Sequence, residues 1–566
     1  MRRTLSALPV VLVSFLVSSC SKPVEKPDLS KLTEDFVYGS LALSPVSATS
    51  AGYHEHNGVH LDGKLDDFSP AGIAGQHKFY SDFRDQLAKI QPASLSPEDQ
   101  ADYEILQNQT NLSLLELDEI QSYRHNPTVY VELVGNALFN PFVLEYAPME
   151  TRYRDIISRL QAVPALVDQA KANLVDAPEV WNRVAREEND GNLDLIDKML
   201  REHAPGAVKA DYDKAAGPAV DALRGLTKYL QDDLSKKTSD WRLGKEKYDK
   251  KFAYTLISGK PPEQVLAEAE ASLKDIRDQM AKLAAPETVR VALDKIAKQH
   301  ATPATYMDQA QKDLADATAF VRDKHLVTLP TSGNLQVIPT PVFMRGIYSV
   351  AGFNPAPALE PELGAFYWVT PISPDMPKAS VESKLREYNR FGMMEITIHE
   401  AMPGHYVQLT IANNLQPKPR RLLRAIFGNG PYIEGWAQYT QQMMSDEGFL
   451  NNSPELRLTM LKQMLRAIAN AILDIRLQTM GMTEQQAMDL MVNDTFQEKE
   501  EATAKVQRAQ LSSCQLPMYF IGWRGWLEAR EAYKQRKGAG FQLSEFHDAA
   551  LKESAVPIPD LGNLLR

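Results

Sequence analysis

The segment best equipped for chemistry runs from 395 to 409, Glu-Ile-Thr-Ile-His-Glu-Ala-Met-Pro-Gly-His-Tyr-Val-Gln-Leu. His399 followed by Glu400 is the pairing a zinc hydrolase uses, an imidazole to hold the metal and a neighbouring carboxylate to act as general base toward water. In an ordinary zinc-hydrolase helix the second His stands four positions on and shares the face of the first. Here it is His405, six positions on. Six residues turn a regular helix by about 600°, which would point His405 to a different side. Pro403 and Gly404 supply the deviation. The proline has no N–H for the His399 carbonyl and crowds it, while the glycine accepts dihedrals other residues avoid. The expectation is a two-residue bulge that returns His405 to the face of His399. Glu434 would complete the set, because Pro-Tyr-Ile-Glu-Gly-Trp-Ala-Gln-Tyr begins another helix-compatible stretch. It is embedded among Ile433, Trp436 and Ala437, where an unpaired charge is costly. Two His and one Glu with an open fourth position make a catalytic zinc site, one ion per chain.

Further residues have a functional and a plain reading. Tyr519 could donate its hydroxyl to an oxyanion formed at the site, or pack in the core. Arg508 and Arg530 could each grip a peptide carboxylate, or serve structure. His547, in Phe-His-Asp, could orient substrate or be a hydrogen-bonded core residue. The strand Gly364 to Thr370, with Tyr367, could be an edge that pairs with extended substrate, or an interior strand. His54-Glu55-His56 with His60 looks metal-like but sits between Gly52 and Gly58, so a surface or cleft loop is expected.

The elements that must position these groups are mostly helical. Ile156, Leu160, Val163, Val167, Ala170 and Leu174 recur at three or four residues and predict one buried stripe. The Ala-, Lys- and Glu-rich stretches 262 to 284 and 287 to 299 read the same way, with Pro261 and Pro262 where a first turn tolerates them. Between 326 and 371 β-branched and aromatic residues lie among Gly and Pro, which predicts a small sheet. Helical patterning returns after Pro377. The fold class is mainly α with one small β-sheet. The chain divides into a leader, 1–19, a lipidated tether, 20–30, an N-terminal helical region, 31–325, and a zinc-binding catalytic region, 326–566. The boundary near 325 is soft and need not separate independent bodies.

Hydrophobic residues at 44% and charged residues at 24% are ordinary for a globular protein. The net charge of -11, with no basic block, argues against nucleic acid as a partner. Arg2 and Arg3 precede an apolar run from about Leu5 to Val17, and Val17-Ser18-Ser19-Cys20 has the form of a bacterial lipobox, so Cys20 is expected to carry lipid. No other stretch reaches the length of about 18 apolar residues that spans a bilayer, so the membrane would be touched through this lipid only. Ser21 after the cysteine is similar to lipoproteins sorted to the outer membrane, facing the periplasm. Cys514 is the one other cysteine and leaves no intrachain disulfide.

The motifs together resemble the bacterial family called domain of unknown function 885. The resemblance rests on His399-Glu-Ala-Met-Pro-Gly-His405 with Gln408, on Glu434-Gly-Trp-Ala-x-Tyr439, on Gln515 to Gly522 with Tyr519 between, and on Phe546-His547-Asp548. It implies a gluzincin-like helical metallopeptidase fold, similar to carboxypeptidase Taq. Tyr406, Gln441 and Ser513-Cys514 depart from the family pattern, which bears on substrate preference and metal tuning rather than on the ligands. The expected function is zinc-dependent hydrolysis of peptide bonds in the cell envelope, by an oligopeptidase or a carboxypeptidase-like enzyme. The alternatives are a zinc-containing peptide-binding or scaffold lipoprotein without turnover, and an amidase acting on cell-wall peptides.

Overall fold

In the computed structural model, residues 28–565 are described except 342, 343, 346, 347 and 349. Cys20, the leader and most of the tether therefore lie outside the described residues. The stripe from Ile156 to Leu174 is buried along its whole length, forming the inner face of the helix Met149–Asn173 and the residue that closes it. That helix packs against Lys209–Asp232 and Thr128–Val143, and their shared core runs from Tyr130 to Leu234. The charged stretches also fold as predicted, as Pro262–Ala284 with a proline in its first turn and Val289–Ala297. Thr288 caps the latter by accepting the Val291 N–H at 3.3 Å.

A short hairpin pairs β1 (Glu55–His56) with β2 (Val59–His60). The predicted sheet consists of β3 (Leu335–Pro339), β4 (Ala351–Asn354) and β5 (Ala365–Val369), in the order β3-β5-β4. β5 is parallel to β3 and antiparallel to β4. The edge-strand reading of Gly364 to Thr370 is thus overturned, since β5 is central and hydrogen-bonded on both sides. Every β5 residue is buried. Ala365, Tyr367 and Val369 join the core of the following helices, while Phe366 and Trp368 join that of the preceding helical layer. A strand covered on both faces needs no polar alternation, which is why its sequence reads as a continuous apolar and aromatic run.

The largest core draws on both sides of position 325, with Tyr248, Phe252 and Tyr306 in the same cluster as Tyr367, Trp436 and Trp526. Cys514 is a buried free thiol. Among the described residues no helix is long and apolar enough to cross a membrane.

Six helices after the sheet carry the candidate site, Arg390–Glu400, His405–Ala412, Gly430–Asp446, Pro454–Thr479, Lys499–Leu511 and Pro517–Lys537. The helix bearing Glu434 and the helix bearing Tyr519 cross at Gly435 and Gly522. A methyl group on Gly522 would stand 1.9 Å from the Pro431 carbonyl oxygen, and one on Gly435 would stand 2.3 Å from the Gly522 carbonyl carbon. Backbone meets backbone here, so no side-chain adjustment can relieve the clash. Tyr432, Trp436 and Trp526 pack beside the crossing with ring centroids 4.9 to 5.0 Å apart.

Gly522→Ala should therefore lower stability by about 1–3 kcal/mol or more through overpacking. Gly217→Ala, in the helix Lys209–Asp232 with nothing within 4 Å of the added methyl, should raise it by roughly 0.5–1 kcal/mol. Urea unfolding of the two variants beside the parent checks both, and a Gly522→Ala protein as stable as the parent would contradict the close crossing.

Candidate metal centre

The helix carrying His399 opens on Asn389, whose side-chain oxygen accepts the N–H groups of Phe391 and Gly392 at 3.0 and 3.2 Å. It ends at Glu400. The expected bulge within one continuous helix is corrected here, since residues 401–404 form a turn and a second helix starts at His405. The Gly404 N–H donates to the Ile398 carbonyl at 3.0 Å. Glycine is required at this point, because a methyl group on residue 404 would lie 1.9 Å from the His399 oxygen and 2.4 Å from that of Ile398. The turn is clamped by the Trp436 indole N–H, which donates to Pro403 O at 2.8 Å and Gly404 O at 3.2 Å. Trp436 stands two residues after Glu434, so the clamp fixes the second histidine relative to the third candidate ligand.

The result is convergence. His399 Nε2 lies 3.4 Å and His405 Nε2 3.6 Å from the same Glu434 oxygen, Oε2. One ligand atom from each of the three side chains falls within a common span of 4.8 Å. Zinc bonds of roughly 2.0–2.2 Å in a tetrahedron put neighbouring ligand atoms about 3.3–3.6 Å apart, so the spacing suits a metal. The donor chemistry agrees, with two imidazoles, one carboxylate, and Glu434 Oε2 lacking a hydrogen-bond partner although buried. Burial alone would raise the Glu434 carboxyl, but the His399 and His405 imidazoles facing it override burial and hold the group below the usual carboxylate range. For the His405 ring, burial pulls downward and Glu434 more than restores it, so its pKa is raised.

Amides stand beside both rings. The Gln438 amide nitrogen lies 3.3 Å from His399 Nδ1, and its oxygen has no hydrogen-bond partner among the described residues. An amide flip would turn that oxygen to the ring, where it accepts from Nδ1–H and leaves the Nε2 lone pair free for a metal. Gln408 lies beside His405, its amide nitrogen donating to Tyr432 O at 3.4 Å, while its oxygen and His405 Nδ1 are both buried without a hydrogen-bond partner among the described residues.

A cavity of about 380 Å³ opens onto these ligands and is lined also by Glu400, Tyr519, Lys505 and Arg508. Tyr519 stacks on His399 with centroids 6.3 Å apart and accepts the Gln515 amide at 3.4 Å. Burial, then the nearby Glu434 charge, pushes its hydroxyl up to about 12, so it keeps its proton at neutral pH and can donate. β4 forms another wall through Ala351, Gly352 and Phe353, the last stacked on His405 at 6.5 Å. Among the described residues β4 pairs with β5 alone, so its far side is the edge of the described sheet.

Three proposed substrate contacts are placed elsewhere. Tyr367 is fully buried with its hydroxyl 3.0 Å from Thr397 Oγ1, so it braces the His399 helix from behind. Arg530 lies over the Tyr439 ring, 5.5 Å from its centroid, and does not line the cavity. His547 is fully buried, with Nδ1 2.7 Å from Leu326 O and Nε2 2.8 Å from the Tyr439 hydroxyl. Burial lowers its pKa to about 4, which makes it a neutral structural link. Arg508 alone of the predicted cations reaches the cavity. Around the N-terminal hairpin, expected as a loop, His54 is hydrogen-bonded to Asp62 at 2.8 Å and stands 3.2 Å from Glu360, and His60 is hydrogen-bonded to Asp155 at 2.7 Å. The residues missed from sequence are Lys505, Gln438 and the β4 edge. A cation three positions before Arg508 was a visible signal for Lys505, whereas nothing local marked β4 as the edge.

Comparison with known proteins gives a family and a fold. The family described as bacterial protein of unknown function (DUF885) matches residues 45–565. A solved structure described as "a putative lipoprotein of unknown function" from Shewanella oneidensis is 28% identical, with a TM-score of 0.78, covering 95% of this chain and 99% of that one. One described as "the putative lipoprotein from Colwellia psychrerythraea" is 18% identical, with a TM-score of 0.79, covering 95% and 98%, and is similar in fold. No curated protein matches the chain.

The turn leading into the Tyr519 helix is held by Asp474, fully buried on Pro454–Thr479. Its Oδ1 accepts the Tyr248 hydroxyl at 2.7 Å and the Cys514 N–H at 3.1 Å. Burial pushes the carboxyl up to about 6 against these donors. A group raised on folding contributes stability fully below its ordinary pKa of about 4 and loses it as pH rises through about 6. Asp474→Asn keeps the acceptor without the charge, so between pH 4.5 and 7 the parent should lose about 2 kcal/mol relative to the variant. Urea unfolding across that range reads the difference, and parallel pH profiles would refute it.

Proposed function

The chain belongs to the DUF885 family of bacterial proteins of unknown function, and from that premise we propose that it is a zinc-dependent hydrolase of peptide bonds with a gluzincin-like site. The observation that carries the reading is the convergence of His399, His405 and Glu434 at metal-ligand spacing, with Glu400 on the wall of the same cavity. One zinc ion would be held by His399, His405 and Glu434, supplying Lewis acidity toward an amide carbonyl and toward water. Glu400 accepts the proton that the attacking water gives up and returns it to the departing amine nitrogen. Tyr519 keeps its proton and donates a hydrogen bond to the oxygen on which negative charge develops. The edge of β4 offers backbone groups to an extended peptide, a sequence-tolerant way of presenting a bond to the site. The lipobox ending at Cys20, with the lipoprotein descriptions of the two similar structures, supports a lipid-anchored protein of the cell envelope.

Two measurements test the reading. His399→Ala and Glu434→Ala should each lose the zinc that the purified parent carries, as read by elemental analysis; undiminished zinc in both would overturn the ligand assignment. Glu400→Gln should stay folded and metallated while its turnover of any cleaved peptide in a mixed library, read by mass spectrometry, falls by at least roughly 10²-fold. Equal cleavage by parent and variant would remove Glu400 as the base.

A further inference from the structure

The helix Lys499–Leu511 turns Glu501, Lys505 and Arg508 toward one side, at the spacing of successive turns. Glu501 is already committed, since it pairs with the Arg466 guanidinium and accepts the Tyr388 hydroxyl at 2.6 Å. Lys505 is only 6% exposed and lines the cavity beside the metal ligands, yet among the described residues it makes no hydrogen bond and no ion pair within 4 Å. Arg508 borders the same cavity, solvent-exposed although walled by protein on most sides, and it too has no carboxylate within 4 Å among the described residues. The other acidic groups on the cavity wall are Glu400 and Glu434, which the site itself employs. Two cations are left without a carboxylate of their own, and for the buried Lys505 an unpaired charge is unfavourable unless an opposite charge arrives.

Two further facts point the same way. Burial, and then Arg466 and Arg508, lower the Lys505 ammonium well below its ordinary pKa, so the surrounding chain favours it less than water does. Gln463, on the same wall, has a buried amide nitrogen with no acceptor. An ammonium, a guanidinium and an amide N–H are donors only, and a carboxylate is acceptor only.

We propose that Lys505 and Arg508 form a carboxylate-binding subsite in the metal-site cavity, so that the preferred substrate is a short peptide with a free carboxylate close to the bond cut. The proposal rests on the hydrolase reading above. A cavity of about 380 Å³ is at the small end for ligand sites, which limits the part of the substrate held there to a few residues. The carboxylate can be a C-terminus or an acidic side chain.

Binding is measured by calorimetry on the full-length, zinc-loaded Glu400→Gln protein with three probes, acetyl-Ala-Ala, its C-terminal amide, and acetyl-Ala-Asp amide. The free acid should bind about 10- to 100-fold more tightly than the amide, as expected for a hydrogen-bonded charge pair. Lys505→Met should abolish that preference without weakening the amide, and Lys505→Arg should restore part of it. If acetyl-Ala-Asp amide equals the free acid, the subsite stands and reads acidic side chains; if it equals the neutral amide, the subsite stands and reads the C-terminus. Zinc content and melting temperature identify a Lys505→Met protein that has lost its fold, in which case Arg508→Met is read in the same way. Equal binding of all three probes, binding of none of them, or a preference for carboxylate that survives both Lys505→Met and Arg508→Met would overturn the proposal. Because binding is read without turnover, the subsite can fail while the parent still cleaves peptides, and it can hold while the parent cleaves none.

Discussion

The arrangement around Glu434 depends on one backbone contact, Gly404 lying against the carbonyl oxygens of Ile398 and His399. A helix that simply continued past Glu400 would carry His405 to another side. The turn at 401–404 resets the helical phase, and the Trp436 indole holds the turn by the carbonyls of Pro403 and Gly404. Two imidazoles from two short helices can then meet one carboxylate from a third. The amides that flank the rings, Gln438 and Gln408, come from two of those helices, so the same packing that brings the rings together also sets their neighbours.

Behind this centre stand two rigid supports. The Gly435 and Gly522 crossing sets the distance between the helix of Glu434 and the helix of Tyr519 at backbone contact, which seats the tyrosine ring against His399. From β5, Tyr367 reaches Thr397, two residues before His399, so the sheet buttresses the ligand helix. His547 ties Tyr439 to the Leu326 carbonyl and thereby fastens the C-terminal helices to the chain just before the sheet.

How much of this was legible in the sequence depends on the range of the forces involved. Local periodicity revealed the helix Met149–Asn173, the helices 262–284 and 289–297, and the residues of the small sheet. Side-chain chemistry at short spacing singled out His399, Glu400, His405 and Glu434, and the structure brings them together. The form of the break at Pro403 and Gly404 was not legible, because whether a helix bulges or restarts depends on Trp436 from another helix. Strand order was likewise hidden, since β5 reads as aromatic and β-branched whether it is central or at an edge. His547 and Arg530 kept two readings for a related reason. A polar residue in a matching segment looks the same whether it faces a cavity or, as His547 does, a tyrosine hydroxyl and a carbonyl.

The two-sided burial of β5 also orders the events of synthesis. The core from Tyr130 to Leu234 includes Phe366 and Trp368, and the one built on Phe36 and Phe83 includes Leu422 and Leu423. The first half of the chain emerges with apolar surfaces whose covering residues do not yet exist. Until the segment through Leu423 has been made, those surfaces stay open to water and to other chains, which is the condition under which nascent proteins aggregate. A chain knitted in this way cannot complete its N-terminal cores before Leu423 has been made.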